Sequence, residues 1–269
     1  HLSIRRQRQM CIRDSEYIHR PTRNGFKAGA LRGGLATARG EFVAIFDADF
    51  VPQPRFLVSL LPHFSSDKVG MVQARWTHLN EEYSILTRAE ASSLDYHFLI
   101  EQAGRDSSGL FLNFNGTAGI WRKECIVDAG GWQDALAEDL DLSIRAQLNG
   151  WKLRLIPYLG CPSELPVEMA GARRQQFRWA KGGAECARRY LPTILRERIA
   201  PVVKANAFTQ LTQHSLHVLV LAQFLVLPIL MQFRFDLAPA ISSLIQLPIG
   251  PLFYYAAMRK MYGKGANRK

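Results

Sequence analysis

The sequence predicts an α/β domain with a largely parallel or mixed sheet flanked by helices, followed by a strongly apolar carboxyl-terminal part. Short runs of β-forming residues alternate with longer amphipathic stretches as far as residue 157, which is the pattern of such domains. Charged residues then become rare after Lys204. The length of 269 residues is enough for one large domain or two smaller ones.

The predicted elements begin with a loop that leads into a helix over residues 20–39, where Ala28, Leu31 and Leu35 recur near helical spacing. Residues 42–46 form a short apolar run between a glycine and two prolines, which is typical of a buried strand. Residues 1–20 show no clear period. The remaining elements are helices at 55–64, 84–101, 124–130 and 137–148, strands at 69–76 and 151–157, and a glycine-punctuated strand or turn at 113–122.

Two aspartates, Asp47 and Asp49, directly follow the predicted strand at 42–46. Ligands of open α/β sheets bind at the carboxyl ends of the strands. Carboxylates also suit Mg²⁺ or Mn²⁺, which usually keep phosphate oxygens and waters as their other ligands. Because aspartate is also common where a turn begins, the local sequence fits a turn as well as a metal site.

Two predicted helices carry candidate ligand-binding residues near their first turns. Lys27 lies beside Gly25 and Gly29, where backbone N–H groups could cradle an anion, although a solvated lysine is the usual case. Glu138 and Asp139 lie in the first turn of the helix at 137–148, where the helix dipole favours acidic residues. A role in chemistry requires these two carboxylates to face the same cleft as Asp49.

A third helical segment combines an amide, a cation and an aromatic ring. Gln175, Arg178 and Trp179 are three and four residues apart, so on a helix they share one face. A basic helical face is usually solvated or faces lipid. A tryptophan flanked by arginine and glutamine is better suited to holding a sugar or a diphosphate.

The carboxyl-terminal part contains two almost uncharged runs, at residues 215–231 and 237–258. Each approaches the roughly 20 residues that span a bilayer, and positive charges flank the pair on both sides. This pattern predicts a helical hairpin with both ends cytoplasmic; two buried helices of a soluble core are the alternative. Residues 188–199 are basic and amphipathic and are expected to lie flat on an anionic leaflet.

Six motifs occur in order along the chain: GFKAGAL (25–31), DAD (47–49), FNGTAGIWR (114–122), AGGW (129–132), EDLDLS (138–143) and QQFRW (175–179). Together they resemble the processive, membrane-bound family 2 glycosyltransferases, the cellulose-synthase-like and mannan-synthase-like enzymes. The resemblance runs from about Arg20 to beyond Met231. It implies a GT-A-like mixed sheet flanked by helices, followed by interfacial and transmembrane helices.

The resemblance also implies a division of the chain. Residues 21–183 would be a catalytic domain that lacks its N-terminal part, since the family begins with a strand–helix–strand unit carrying an earlier aspartate. An amphipathic interfacial helix at 184–204, two transmembrane helices within 205–260 and a basic tail at 261–269 would follow, with residues 1–20 unplaced. A catalytically incomplete membrane fragment is therefore one alternative.

By the same resemblance, Asp139 is expected to be the general base of an inverting transfer. The donor and its divalent metal, Mg²⁺ or Mn²⁺, are expected to contact Lys27, Asp47, Asp49 and Arg178, with Asp49 and Asp47 as the metal ligands. The residues expected to border the acceptor are Phe114, Asn115, Gly116, Thr117, Glu138, Gln175 and Trp179.

The implied activity is transfer of a sugar from GDP-mannose or UDP-glucose to a growing β-glycan at the cytoplasmic face of the inner (plasma) membrane. The expected partners are a nucleotide-sugar donor, a glycan acceptor and a lipid bilayer. A nucleic-acid-binding protein is an alternative of another class, since the formal net charge is +11. The sequence holds no recognisable nucleic-acid-binding module, and its basic residues cluster beside the apolar runs, so we expect no nucleic-acid partner.

Overall fold

A four-stranded mixed sheet organises the chain in the computed structural model, which describes residues 16–232, 255, 256 and 259. The described helices and strands are α1 (Phe26–Thr37), β1 (Phe42–Ile45), α2 (Phe56–Leu60), β2 (Val69–His78), α3 (Ile85–Tyr96), a π-helix (His97–Gln102), α4 (Ala103–Ser107), β3 (Gly119–Arg122), α5 (Lys123–Asp128), α6 (Glu138–Leu148), β4 (Lys152–Ser163), α7 (Met169–Arg196), α8 (Pro201–Thr212) and α9 (Ser215–Gln232). Short 3₁₀ helices occur at Leu61–His63 and Glu81–Tyr83. The predicted α/β fold with a mixed sheet flanked by helices is confirmed.

The strand order is β1-β3-β2-β4. Strand β3 is antiparallel to both β1 and β2, whereas β2 and β4 are parallel. Strands β2 and β4 are longer than their neighbours and continue together as a two-stranded ribbon from Arg75 opposite Gly160 to His78 opposite Ser163. This ribbon carries Trp76 beyond the sheet, towards the candidate site.

The core lies on both faces of the sheet because successive strand residues point in opposite directions. On β3, Trp121 packs into a cluster with Trp132 and Leu142, while the preceding Ile120 packs into a second cluster with Phe56. Full burial of such side chains contributes about 1.5–3 kcal/mol each. A third cluster, which includes Leu140, Ile144, Cys186, Tyr190 and Ile194, joins α6 to α7 and α8.

Helix α7 differs from the prediction because it runs without interruption through residues 183 and 184, where a boundary was expected. Gly182 lies next to this point: a Cβ built on it would lie 2.7 Å from the Cβ of Ala137, so the glycine lets α7 approach the start of α6. The segment predicted to lie flat on lipid does not present its whole apolar face outward. Tyr190 and Ile194 in that segment are buried against α6 and α8.

The first apolar run forms α9, and the second falls outside the described residues except for Tyr255 and Ala256. Among residues 16–232, 255, 256 and 259, no helix is long and apolar enough to cross a membrane. Residues 1–15 of the unplaced N-terminal stretch and the tail at 261–269 also lie outside the described residues. Cys125, Cys161 and Cys186 are free, buried thiols.

Candidate active site

Lys27 lies at the centre of a charged cluster that joins four of the predicted motifs. Its Nζ is 2.6 Å from Asp47 Oδ1 and 3.8 Å from Glu138 Oε1, and it donates a hydrogen bond of 2.9 Å to the carbonyl oxygen of Gly116. Lys27 reaches this place from the first turn of α1, which begins after Gly25 in the left-handed conformation (φ +67°). The structure therefore brings together Lys27 and Asp47, which were expected on the donor side, with Gly116 and Glu138, which were expected at the acceptor.

The loop before β3 closes this cluster by crossing the end of β1. The backbone N–H of Asp47 donates to Thr117 Oγ1 at 2.8 Å, and the N–H of Ala118 donates to the carbonyl of Ile45 at 2.9 Å. Ala118 is fully buried in a left-handed conformation (φ +56°), which costs a non-glycine residue about 1–2 kcal/mol. Such strain persists only where surrounding contacts hold the backbone in place.

Gly116 allows Lys27 and Asp139 to lie close to its Cα atom. Its φ is +85°, and a Cβ built on it would lie 3.0 Å from Asp139 Oδ2 and 3.3 Å from Lys27 Nζ. A side chain at this position would therefore be strained by the backbone and crowded by Asp139. Glycine is the residue that lets the loop, Lys27 and Asp139 meet.

Both acidic residues at the start of α6 have raised pKa values. Burial, and then the charge of Asp139, raise the pKa of Glu138 to about 7, although the Lys27 ammonium acts in the opposite direction. Burial also raises the pKa of Asp139, whose Oδ1 accepts a hydrogen bond of 2.8 Å from the backbone N–H of Leu140. The pair can therefore hold a proton at a pH where exposed carboxylates have lost theirs.

A third carboxylate on α6, Asp141, is fully buried, and the sequence analysis did not single it out. It accepts hydrogen bonds from Tyr190 Oη at 2.5 Å, from Arg189 at 3.1 Å and from Arg145. Burial and the bond to Asp141 raise the pKa of Tyr190 to about 12. Arg145 also donates to the carbonyl of Gly131, so Asp141 connects α6, α7 and the AGGW turn.

Beside the charged cluster lies a cavity of about 280 Å³. Asp139 and Asn115 line it, together with Trp179 from the QQFRW motif. The sequence analysis missed most of its other walls. These include the aromatic or imidazole rings of Trp76, Tyr96, His97 and His214, the amides of Asn113, Gln176, Gln210 and Gln213, and the charged groups of Glu101 and Arg105. One signal was available, because His97 and Glu101 are four residues apart in a predicted helix and so share a face.

Some predicted site residues lie elsewhere. The Phe114 side chain is buried in the core, edge-on to Trp121 at 5.5 Å between ring centres. Asp49 is solvent-exposed at the end of β1, and Gln175 is half-buried. Arg178 is exposed and lines a separate surface depression with Arg173, Arg174, Gly171 and Phe177. Consecutive residues of a helix point about 100° apart. The Trp179 side chain therefore lines the cavity, whereas that of its neighbour Arg178 points away from it.

The predicted metal ligands, Asp47 and Asp49, offer few donor atoms. Among the described residues, no group of three or more His, Cys, Asp or Glu side chains could hold an ion. Asp47 and Asp49 supply carboxylate oxygens only, one of them already paired with Lys27. Mg²⁺ and Mn²⁺ are commonly bound by one or two carboxylates plus substrate phosphates, so this pair fits a cation that a diphosphate also holds.

Carboxylates at a strand end, beside a cavity lined by aromatic rings and amides, are typical of an α/β enzyme that binds a polar ligand. Comparison with known proteins specifies the family. The chain belongs to Glycosyl transferase family group 2, whose sequence pattern matches residues 42–258.

The chain is similar to plant relatives named as glucomannan mannosyltransferases. It is 45% identical over 185 residues to a probable glucomannan 4-beta-mannosyltransferase 7 of Oryza sativa subsp. japonica, which covers 67% of this chain and 32% of the relative. It is 43% identical over 194 residues to glucomannan 4-beta-mannosyltransferase 1 of Cyamopsis tetragonoloba, which covers 70% and 37%. The chain thus spans about a third of the length of these relatives.

A solved structure supports the fold. It is described as the mannosyltransferase PcManGT from Pyrobaculum calidifontis in complex with GDP-Man and Mn²⁺. It matches with a TM-score of 0.50 and 18% identity, and covers 98% of this chain and 74% of that one. This likeness confirms the GT-A-like α/β architecture predicted from the motifs.

Proposed function

We propose that this chain transfers a mannosyl residue, or alternatively a glucosyl residue, from GDP-mannose or UDP-glucose to a growing β-glycan, with inversion at the anomeric carbon. The observation that carries the proposal is the position of Asp139. Its carboxylate faces the cavity lined by aromatic rings and amides, and it also approaches Gly116 beside the Lys27–Asp47 pair. The names of the plant relatives support mannose as the sugar.

In the proposed reaction, Asp139 is the general base. The acceptor hydroxyl oxygen forms a bond to the anomeric carbon while the bond from that carbon to the diphosphate oxygen breaks on the opposite face. The hydroxyl proton passes to Asp139, whose raised pKa makes it a stronger base than an exposed aspartate. Positioned general bases typically contribute about 10²–10⁴-fold to a rate.

The donor would lie on the other side of Gly116, near Lys27, Asp47 and Asp49. Lys27 brings a positive charge within 2.6 Å of Asp47, so it offers the donor phosphates a cation already held in position. Asp47 and Asp49 would hold Mg²⁺ or Mn²⁺, which when bound neutralises negative charge on the leaving diphosphate. Contact of Arg178 with that diphosphate stays a prediction, because its side chain lies in a separate depression.

We further propose that the enzyme works at the cytoplasmic face of the inner (plasma) membrane. Seven apolar side chains of α9 are exposed, which favours contact of this helix with lipid or with other apolar segments: Val218, Leu219, Val220, Leu221, Phe224, Leu225 and Val226. The basic residues on either side of the apolar runs are compatible with the anionic cytoplasmic leaflet.

The proposal is tested by offering the wild-type protein and the Asp139→Asn variant a panel of labelled nucleotide sugars with β-mannan and β-glucan oligosaccharides. We expect Asp139→Asn to lower transfer by about 10²–10⁴-fold while donor binding survives, because the substitution keeps the shape and removes the base. Asp67→Asn, at an exposed position outside the site, is the matched control. Wild-type turnover by Asp139→Asn would refute the assignment, and transfer that survives chelation would exclude the metal role.

A further inference from the structure

The cavity wall opposite α7 contains a hydrogen-bonded chain that reaches from strand β2 to the π-helix. Its members are Gln73, Asn115, Gln102, His97 and Glu101. The π-helix contributes His97, Glu101 and Gln102, and π-helical segments occur frequently at functional sites. Three of these side chains, those of Asn115, His97 and Glu101, line the cavity with Asp139.

Backbone groups fix the orientation of the two glutamine amides in this chain. Gln73 Oε1 accepts a hydrogen bond of 2.7 Å from the backbone N–H of Asn115, so Gln73 Nε2 is the nitrogen that faces the Asn115 side chain. Gln102 Nε2 donates to the backbone carbonyl of Asn113 at 2.5 Å. Because a backbone N–H can only donate and a carbonyl can only accept, neither glutamine amide can be turned over.

The two glutamines in turn fix the amide of Asn115. Its Oδ1 accepts from Gln73 Nε2 at 2.9 Å and from Gln102 Nε2 at 3.1 Å, which uses both lone pairs. Its Nδ2 therefore faces His97 Nε2 at 3.0 Å, and that ring nitrogen must accept. The proton of the neutral imidazole is then on Nδ1, from which it is donated to Glu101 Oε2 at 2.9 Å.

Glu101 is the last hydrogen-bond acceptor in this series of side chains. Burial alone would raise the pKa of its carboxyl, but the hydrogen bond from His97 and the charge of Arg105 bring the pKa below its ordinary value. An ionised Glu101 holds the proton of His97 on Nδ1 and leaves Nε2 free to accept from Asn115. From Gln73 through Asn115 and His97, each side chain therefore donates to the next, and Glu101 accepts the last hydrogen bond.

We propose that His97, backed by Glu101, is a positioning residue: it accepts the first N–H of the Asn115 amide, whose orientation Gln73 and Gln102 set, so that the second N–H can donate to the acceptor hydroxyl oxygen that Asp139 deprotonates. This inference rests on the proposed glycosyl transfer. The Asn115 and Asp139 side chains line the same cavity, and a Cβ built on Gly116, the residue after Asn115, would lie 3.0 Å from Asp139 Oδ2. While the proton of the acceptor hydroxyl goes to Asp139, a hydrogen-bond donor is needed to orient the lone pairs of the hydroxyl oxygen. The second N–H of the Asn115 amide supplies that hydrogen bond.

The test uses the full chain in detergent or lipid nanodiscs, with labelled GDP-mannose and mannan oligosaccharides. His97→Phe removes the group that accepts from Asn115, so the KM for the acceptor should rise about tenfold, the effect of losing about one hydrogen bond. The KM for the donor should stay within about twofold of wild type, because the proposed donor site lies on the other side of Gly116. His97→Gln places an amide oxygen near the position of Nε2 and should restore most of the acceptor affinity.

His63→Phe is the matched control, because His63 does not line the cavity and its ring contacts Tyr158. Glu101→Gln provides a second variant that keeps the shape of the π-helix if His97→Phe fails to fold, and it should raise the acceptor KM in the same direction. An unchanged acceptor KM in folded His97→Phe or Glu101→Gln would overturn the inference alone. A wild-type protein that neither transfers nor hydrolyses any sugar nucleotide would overturn the proposed function, and this inference with it.

Discussion

Replacing Glu138 by glutamine should make the protein more stable at alkaline pH. Burial and the charge of Asp139 raise the pKa of this carboxyl from its ordinary value of 4.5 to about 7. Each tenfold change in an ionisation constant is worth about 1.4 kcal/mol, so ionising Glu138 costs the folded state about 3 kcal/mol relative to the unfolded chain. Glutamine keeps the size of the side chain and carries no charge, so the variant avoids this cost.

The sign of the pH dependence follows from proton binding. Between pH 4.5 and about 7 the folded state holds the Glu138 proton and the unfolded state has lost it, so the wild-type free energy of unfolding falls as pH rises. The cost is absent below pH 4.5 and complete above about pH 7. The variant should therefore differ little from wild type at pH 4 and gain up to about 3 kcal/mol at pH 8.

Urea unfolding of both proteins at pH 4, 6 and 8 measures this difference. Glu164→Gln, at an exposed position on the loop after β4, is the matched control and should follow the wild-type curve at every pH. Parallel curves for wild type and Glu138→Gln would refute the reasoning, because they would mean that Glu138 ionises equally easily in the folded and unfolded states.

Two further substitutions test the framework of the site. Asp141→Asn should lower the free energy of unfolding by about 3 kcal/mol, because it leaves Arg145 without its buried anion. Its control is Asp134→Asn, which breaks an exposed pair with Arg32 and should cost under about 1 kcal/mol in the same urea titration. Gly116→Ala should cost about 1–2 kcal/mol because its φ is +85°, whereas Gly33→Ala in α1, where a Cβ meets no atom within 4 Å, should stabilise by about 0.5–1 kcal/mol. Equal effects within either pair would contradict the structural explanation.

The elements that depend on local signals could be predicted from the sequence. Strand β1 lies within the predicted run at 42–46, and α6 begins one residue after the predicted start at Ala137. The position of β3 between β1 and β2 could not be predicted, since it depends on pairs such as Phe42 with Arg122, 80 residues apart in the chain. No local period records such a partner.

Within the FNGT motif, the sequence named the right segment but could not distinguish its two faces. Phe114 and Asn115 are adjacent, and the backbone turns the first into the core beside Trp121 and the second into the cavity. The cavity wall formed by Gln210, Gln213 and His214 could not be predicted for a different reason. Gln210, Gln213 and His214 reach the cavity only because α8 packs back on α7, a contact between helices that neither helix's own sequence reveals.

The shared contacts of Asp141 have a mechanical consequence for the cavity. Helix α6 carries Asp139 on one wall and α7 carries Trp179 on another, and Asp141 binds Tyr190 and Arg189 of α7 directly. The two helices should therefore move as one rigid body, so that the gap between the Asp139 carboxylate and the Trp179 ring keeps a constant width. Under the proposed function, the fold itself would then set the thickness of the sugar ring that can lie between them.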